Sequence, residues 1–237
     1  MDRVDRVLII VPTYNERDNL AALVSAIRAE LPVADILVID DASPDSTGVL
    51  ADELARANDY LTVLHRPGKL GLGTAYLAGF RHALSHGYDF IFEMDADFSH
   101  EPRYLPALWK KAREGADVVV GSRYVEGGGT VNWGIGRQII SRGGSLHART
   151  ILGVGVRDLT SGFICYRRAA LEGIALDRIR SNGYSFQIEM KYRALKAGFR
   201  LVEVPIVFVD RRVGASKMSR AIFLEALTRV WKLRWGS

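Results

Sequence analysis

Phe90-Ile-Phe-Glu-Met-Asp-Ala-Asp-Phe-Ser-His100 decides how this chain is read. An apolar run ends in two carboxylates one residue apart, where a strand gives way to a loop. Alternation along extended chain puts Asp95 and Asp97 on the same side, so both can face one cation. Acidic oxygens suit a hard ion such as Mg²⁺ or Mn²⁺, which usually arrives carrying phosphate oxygens. Two loop aspartates alone are more often turn residues or helix caps. A second acidic pair, Asp40-Asp41, after another apolar run, and several basic residues downstream turn the pattern into a nucleotide-diphosphate site.

Working outward, the same strand-then-loop pattern repeats. Val7–Val11 is continuously apolar, as expected of a strand buried on both faces, and Pro12 ends it. Asn15 or Asp18 is placed to cap a helix whose Leu20, Leu23, Val24, Ile27 and Leu31 form one apolar face. Ile36–Ile39 leads into Asp40-Asp-Ala-Ser-Pro-Asp45 and a helix through Ala57. Leu61–Leu64 precedes a glycine-containing loop, Arg66–Gly73, and a helix to about Ser85. Phe90–Met94 and Asp117–Gly121 complete five strands. Alternating strands and helices with short connections predict a single α/β domain, a mostly parallel sheet flanked by helices. Ligands of such sheets sit beyond the carboxyl ends of the strands, where Pro12–Glu16, Asp40–Asp45, Gly68–Gly73 and Asp95–Ser99 would gather.

After Gly121 the regularity breaks. Glu126–Gly136, glycine-rich and carrying Trp133, reads as a mobile loop over the site. Helical pattern returns from Ile139 to Leu152, and Phe163–Tyr166, Leu201–Val204 and Ile206–Val209 read as further strands. Arg220–Trp235 differs in kind. Apolar bulk with two tryptophans is joined near its end by Arg229, Lys232 and Arg234, the pattern of a helix lying in a membrane interface or of a terminal helix docked on the sheet.

Composition sets bounds. The chain has 237 residues, 48% hydrophobic and 25% charged, enough for one ordinary α/β domain. A formal charge of +5 favours anionic partners without choosing among them. One cysteine, Cys165, excludes an internal disulfide and a cysteine-based zinc site, so a reducing cytosol is the expected home. The start lacks a signal-peptide pattern, and no apolar stretch approaches the ~20 residues of a spanning helix. The expected protein is peripheral to the membrane rather than integral.

Motif spacing excludes several chemistries. Gly71-Leu-Gly73 is half a dinucleotide fingerprint, but Tyr76 stands where the third glycine belongs. Neither a phosphate-binding G-x-x-x-x-G-K-[ST] nor a G-x-S-x-G nucleophile elbow occurs. Tyr14 is placed to stack on a base, Glu16 to accept hydrogen bonds from ribose or base, and Asp41 to do likewise. Arg123 follows the fifth strand; Arg137 and Ser141, four apart, share a helical face and suit a second phosphate. Arg211 and Lys217 bracket a glycine-containing loop suited to a diphosphate.

Taken in order, Pro12-Thr-Tyr-Asn-Glu-Arg17, Asp40–Asp45, Lys69-Leu-Gly-Leu-Gly-Thr-Ala-Tyr76, Met94–His100, Gly121-Ser-Arg-Tyr124, Asp158-Leu-Thr-Ser-Gly-Phe163, Gly183-Tyr-Ser-Phe-Gln187 and Gly214-Ala-Ser-Lys-Met218 closely resemble the polyprenol-phosphate (dolichol-phosphate) mannosyltransferases. These are family-2 inverting glycosyltransferases of GT-A fold. In Val125-Glu-Gly-Gly-Gly129 and Ser216-Lys-Met218 the chain is similar to the actinobacterial polyprenol monophosphomannose synthases.

The resemblance implies transfer of mannose from GDP-mannose to a polyprenyl phosphate with inversion, dependent on Mg²⁺ or Mn²⁺. Pro12, Tyr14, Glu16, Ile39 and Asp41 would hold guanosine; Asp95, Ala96 and Asp97 would bind metal and diphosphate. Arg211 and Lys217 would grip donor phosphates, and Arg123, Arg137 and Ser141 would receive the lipid phosphate. Asp97 and Arg123 are the catalytic candidates, with Arg123 serving donor and acceptor alike. Some relatives carry Gln as third metal ligand where this chain has Ser99, a weak ligand that water can replace. The implied partners are the cytosolic face of a membrane and, as the alternative to the chain's own helix, an anchoring subunit, with no nucleic acid. Residues 1–218 would form the catalytic domain and 219–237 the amphipathic helix. The competing reading keeps fold and acceptor but takes glucose from UDP-glucose.

Overall fold

A computed structural model describes residues 4–179, 181, 183–209 and 230–235. Strands β1 (Val7–Thr13), β2 (Ala34–Asp40), β3 (Leu61–His65), β4 (Phe90–Glu93) and β5 (Val118–Ser122) are joined by helices α1 (Arg17–Glu30), α2 (Thr47–Ala57), α3 (Leu72–Ser85) and α4 (Leu105–Arg113). Then follow β6 (Gly129–Val131), α5 (Ile135–Leu152), β7 (Ile164–Arg167), α6 (Arg168–Gly173), α7 (Gly183–Lys196), β8 (Leu201–Pro205) and β9 (Val207–Val209).

Seven strands form one sheet in the order β3-β2-β1-β4-β7-β5-β8. Every pairing in it is parallel except those of β7, which runs antiparallel between β4 and β5. The continuous apolar runs have a simple cause: alternate side chains serve opposite faces of the sheet. Val7, Ile9, Val11, Ile36, Val38 and Phe92 join Leu20, Leu23 and Ile27 of α1 and Leu105 and Leu108 of α4 on one face. Leu8, Ile10, Leu37, Ile39, Val118 and Val120 join Tyr76 and Phe80 of α3 and Phe186 and Met190 of α7 on the other.

Two local expectations are corrected. The N-cap position of α1 is Glu16, without a side-chain cap bond, so neither Asn15 nor Asp18 caps it. Side chains of the neighbouring acidic loop satisfy those backbone donors instead. Thr47 Oγ1 accepts the Glu16 N–H at 3.0 Å and Asp45 Oδ2 the Arg17 N–H at 3.2 Å. Glu126–Gly136 is no simple loop either. Its β6 pairs in parallel with β9, and Trp133 is buried against Phe208 with ring centroids 5.3 Å apart.

A third apolar cluster joins Ala148 and Leu152 of α5 to Ile188 and Tyr192 of α7. Residues 230–235 are helical and add Val230 and Leu233 to it. Trp231 and Trp235 are 51% and 62% exposed and stack on one another at 4.8 Å. The expected boundary at 218/219 lies outside the described residues. Among the described residues, no helix is long and apolar enough to cross a membrane.

Candidate active site

The carboxyl edge of the sheet gathers the loops after β1, β2, β3 and β4. Their turns are tight enough to force Asn15, Ala42, Ser46 and Phe98 to positive φ, between 54° and 69°. L-residues hold that conformation at a cost of roughly 1–3 kcal/mol each, and only where surroundings determine it. Asp40 fixes one such turn: its carboxylate accepts from Thr13 Oγ1 (3.1 Å), Ser43 N–H (3.1 Å) and Ser43 Oγ (2.5 Å).

Asp41 is committed more fully than the sequence suggests. Arg66 grips it through both carboxylate oxygens at 2.6 Å, and Leu70 N–H adds a contact at 3.3 Å. The pair is buried, and Arg66 reaches on to Thr74 Oγ1 at 2.8 Å. Asp41 therefore anchors the 66–74 loop, and only its remaining lone pairs are open to a nucleoside. Arg66 was not among the sequence candidates, although its place at the exit of β3, beside an acidic pair, was the available signal. Tyr14 lies beneath Lys69, with Nζ 4.3 Å from the ring centroid. Glu16 Oε2 accepts from Asn19 Nδ2 at 2.9 Å. Pro12 sits in β1, half-buried. The Ile39 side chain is fully buried in the core and does not reach the edge, so only its backbone can serve there.

Asp95 and Asp97 lie in the loop after β4. The Asp95 side chain is 34% exposed and accepts from Tyr76 Oη at 3.4 Å, whereas Asp97 is buried, Oδ1 accepting the Ser99 N–H at 3.1 Å. Ala96 is buried between them. Ser99 Oγ is buried without a hydrogen-bond partner. Two carboxylates and an orphaned hydroxyl in one turn fit a hard divalent cation that keeps water or phosphate oxygens as its other ligands. No group of three or more His, Cys, Asp or Glu ligands forms among the described residues. His100 is fully buried, its pKa lowered by burial against the pull of Asp95 and Asp97; Nδ1 accepts the Asp95 N–H at 3.1 Å and so shapes the turn.

Beneath this turn is a polar layer that the sequence reading missed. Glu93 is fully buried and pushed up to about 8 by burial, which keeps it protonated near neutrality; Gln187 Nε2 donates to it at 2.5 Å. Lys191, also fully buried, is brought down to about 8 by burial. Its Nζ donates to the carbonyls of Ser161 (2.6 Å), Leu159 (3.0 Å) and Gln187 (3.4 Å), tying α7 to the loop before β7. A lysine interrupting the apolar stripe of α7 was the signal for it.

That loop in turn holds Arg123. Asp158, wholly buried, receives Arg123 Nε and Nη2 at 2.7 Å each and the Arg123 N–H at 3.0 Å. Burial alone would raise the Asp158 pKa, but the Arg123 guanidinium outweighs it and leaves the carboxyl below its usual value. Arg123 is 5% exposed, with Thr160 Oγ1 at 2.8 Å and the rings of Tyr124, Trp133 and Phe208 around it. Much of the fork expected to meet a lipid phosphate is thus spent on Asp158. Ser141 accepts from Tyr124 Oη at 2.6 Å. Arg137 falls on α5, and its side chain lies outside the described residues, as do Arg211 and Lys217 entirely.

A mostly parallel sheet that gathers a D-x-D turn, an acidic loop and a clamped arginine at one edge defines a glycosyltransferase. Residues 8–175 match the family model for glycosyl transferase family 2, and the chain belongs to that family. It is 50% identical over 98% of its length to an undecaprenyl-phosphate mannosyltransferase of Micrococcus luteus, covering 94% of that protein. To a polyprenol monophosphomannose synthase of Mycolicibacterium smegmatis it is 49% identical over 98% of its length, covering 87% of the relative. Among solved structures, glucosyl-3-phosphoglycerate synthase from Mycobacterium tuberculosis, crystallised with Mn²⁺, UDP and phosphoglyceric acid, superposes with a TM-score of 0.73 at 17% identity. That match covers 98% of this chain and 79% of the other, and it speaks for the fold.

Proposed function

We propose that this glycosyltransferase moves mannose from GDP-mannose to a polyprenyl phosphate with inversion, giving polyprenyl phosphate β-mannose and GDP. The observation that carries the reading is the D-x-D turn of Asp95 and Asp97 set at the same edge as the Arg123–Asp158 clamp, in a chain half identical to two transferases named for that acceptor class.

The acceptor phosphate monoester, with a second pKa near ~6, is already a dianion at neutral pH and needs no general base. The chain must bring two anions together and stabilise a leaving diphosphate by preorganised charge. A Mg²⁺ or Mn²⁺ ion on Asp95, Asp97 and Ser99 would neutralise charge on that diphosphate. Tyr14, Glu16, Asp41 and the backbone of Pro12 and Ile39 would frame guanosine. Arg211 and Lys217 would hold donor phosphates, and Arg137 and Ser141, beside Arg123, the lipid phosphate. Because a prenyl chain stays in the bilayer, the enzyme would work as a peripheral protein at its cytosolic face, by its own C-terminal helix or on an anchoring subunit.

The test is transfer in detergent from radiolabelled GDP-mannose, and separately from UDP-glucose, to a short polyprenyl phosphate with Mg²⁺ or Mn²⁺. Metal-dependent product from GDP-mannose alone is expected. Product from UDP-glucose alone would move the enzyme to glucosyl transfer, and product without metal would remove the role given to Asp95 and Asp97.

A further inference from the structure

Beside α5, with Tyr124 between it and Ser141, a cavity of about 410 Å³ is lined by Arg123, Arg142, Arg149 and Arg157, with Tyr124 and Leu146. Residues 142, 146 and 149 fall on one helical face, about 100° round the axis from 141. Among the described residues, four guanidinium groups border this space and no carboxylate does.

Asp158 and Glu203, beside the lining residues, are already committed. Asp158 is spent on Arg123, and both oxygens of Glu203 accept backbone N–H groups, of Arg157 at 2.8 Å and Asp158 at 2.9 Å. No carboxylate among the described residues pairs with the side chains of Arg142, Arg149 or Arg157. Arg149 Nε is buried without a hydrogen-bond partner, a charged donor deprived of water and acceptor alike. Arg123 and Arg142 both approach the Tyr124 ring, at 5.1 and 5.8 Å, so like charges converge on one wall. An anion would relieve each of these features. Forked guanidinium donors match phosphate oxygens bidentately. The volume lies in the range of small-ligand clefts, roughly 300–1,000 Å³, leaving room for an organic group against Leu146, itself 60% exposed.

We infer that this cavity is a second phosphate-ester site, offset from the D-x-D turn, that takes a phosphate carrying a small organic substituent, whether free in solution or on a lipid headgroup. Its occupation does not depend on the mannosyl reading, and it is measured with no sugar donor present.

The test uses the full chain in about 0.15 M salt. One arm titrates glycerol 3-phosphate calorimetrically; the other floats the protein with phosphatidylcholine vesicles, with and without phosphatidylglycerol. The variant pair Arg142→Gln/Arg149→Gln is compared with Arg56→Gln/Lys110→Gln, which removes equal charge from α2 and α4. The pocket pair is expected to lose about 25-fold in one arm, each basic residue near an anionic surface being worth roughly fivefold. Loss in the calorimetric arm assigns a soluble ester, and loss with anionic vesicles alone assigns a headgroup. Arg157→Gln, at an exposed position, should lose affinity in the same arm, so that misfolding of the pair does not decide the matter. Equal losses in the pocket and control pairs, or none in either arm, would overturn the site.

Discussion

Asp97 and Lys191 show two ways a single side chain can be essential here. Asp97 is buried yet meets the edge, so Asp97→Ala should leave the fold intact and abolish metal-dependent transfer; turnover near the wild-type rate would overturn its assignment. Lys191 touches no proposed substrate. Lys191→Met would leave the carbonyls of Leu159 and Ser161 without their charged donor, costing roughly 1–3 kcal/mol. Its folded pKa of about 8 lies below the ordinary 10.5, so between those values the unfolded chain holds more protons and stability rises with pH. Denaturant midpoints from pH 8 to 10.5 should therefore show wild type gaining on Lys191→Met by up to about 1.4 kcal/mol per pH unit, and a constant gap would contradict the buried charge.

Elements were far more legible than their interiors. The burial of β1, β2 and β4 on both faces is written in continuous apolar runs such as Val7–Val11, and strand ends fell within a few residues of expectation. β6 was not legible, because Gly129-Thr-Val131 is a strand only through pairing with β9 far along the chain. Gly128, before it, has a reason to be glycine: a Cβ would stand 2.6 Å from the Ser122 carbonyl oxygen and 3.1 Å from that of Arg123. Gly128→Ala should cost about 1–3 kcal/mol by overpacking, read as a lower unfolding midpoint, and a neutral effect would show that this turn yields. Of the C-terminal segment, residues 230–235 are described: Val230 is buried while Trp231 and Trp235 are more than half exposed. Trp231→Ala/Trp235→Ala should lower flotation with liposomes while leaving thermal stability within about 0.5 kcal/mol. Unchanged flotation would remove the interfacial role.

At the scale of the whole molecule, the antiparallel β7 is what makes a site rather than a row of loops. Were it parallel, the Asp158–Phe163 turn would leave from the far edge; reversed, its start stands at the carboxyl edge between β4, which carries Asp95 and Asp97, and β5, which carries Arg123. Strand spacing of about 4.8 Å then sets the D-x-D strand and the arginine strand roughly 10 Å apart, with the Asp158 turn filling the gap. No local pattern in the sequence announces this, because pairing partners distant along the chain decide strand direction. The consequence is a division of labour: the β1–β4 half would serve the nucleotide, and the half built on β5, β7 and α5 the acceptor. Asp158→Asn tests that division. It strips the counter-charge from buried Arg123, which should destabilise by about 3–5 kcal/mol and remove transfer. GDP binding measured by calorimetry below the variant's unfolding temperature should change by less than about threefold, because Asp41, Arg66 and Asp95 keep their partners. Loss of GDP binding in step with transfer would mean that the two halves act as one unit.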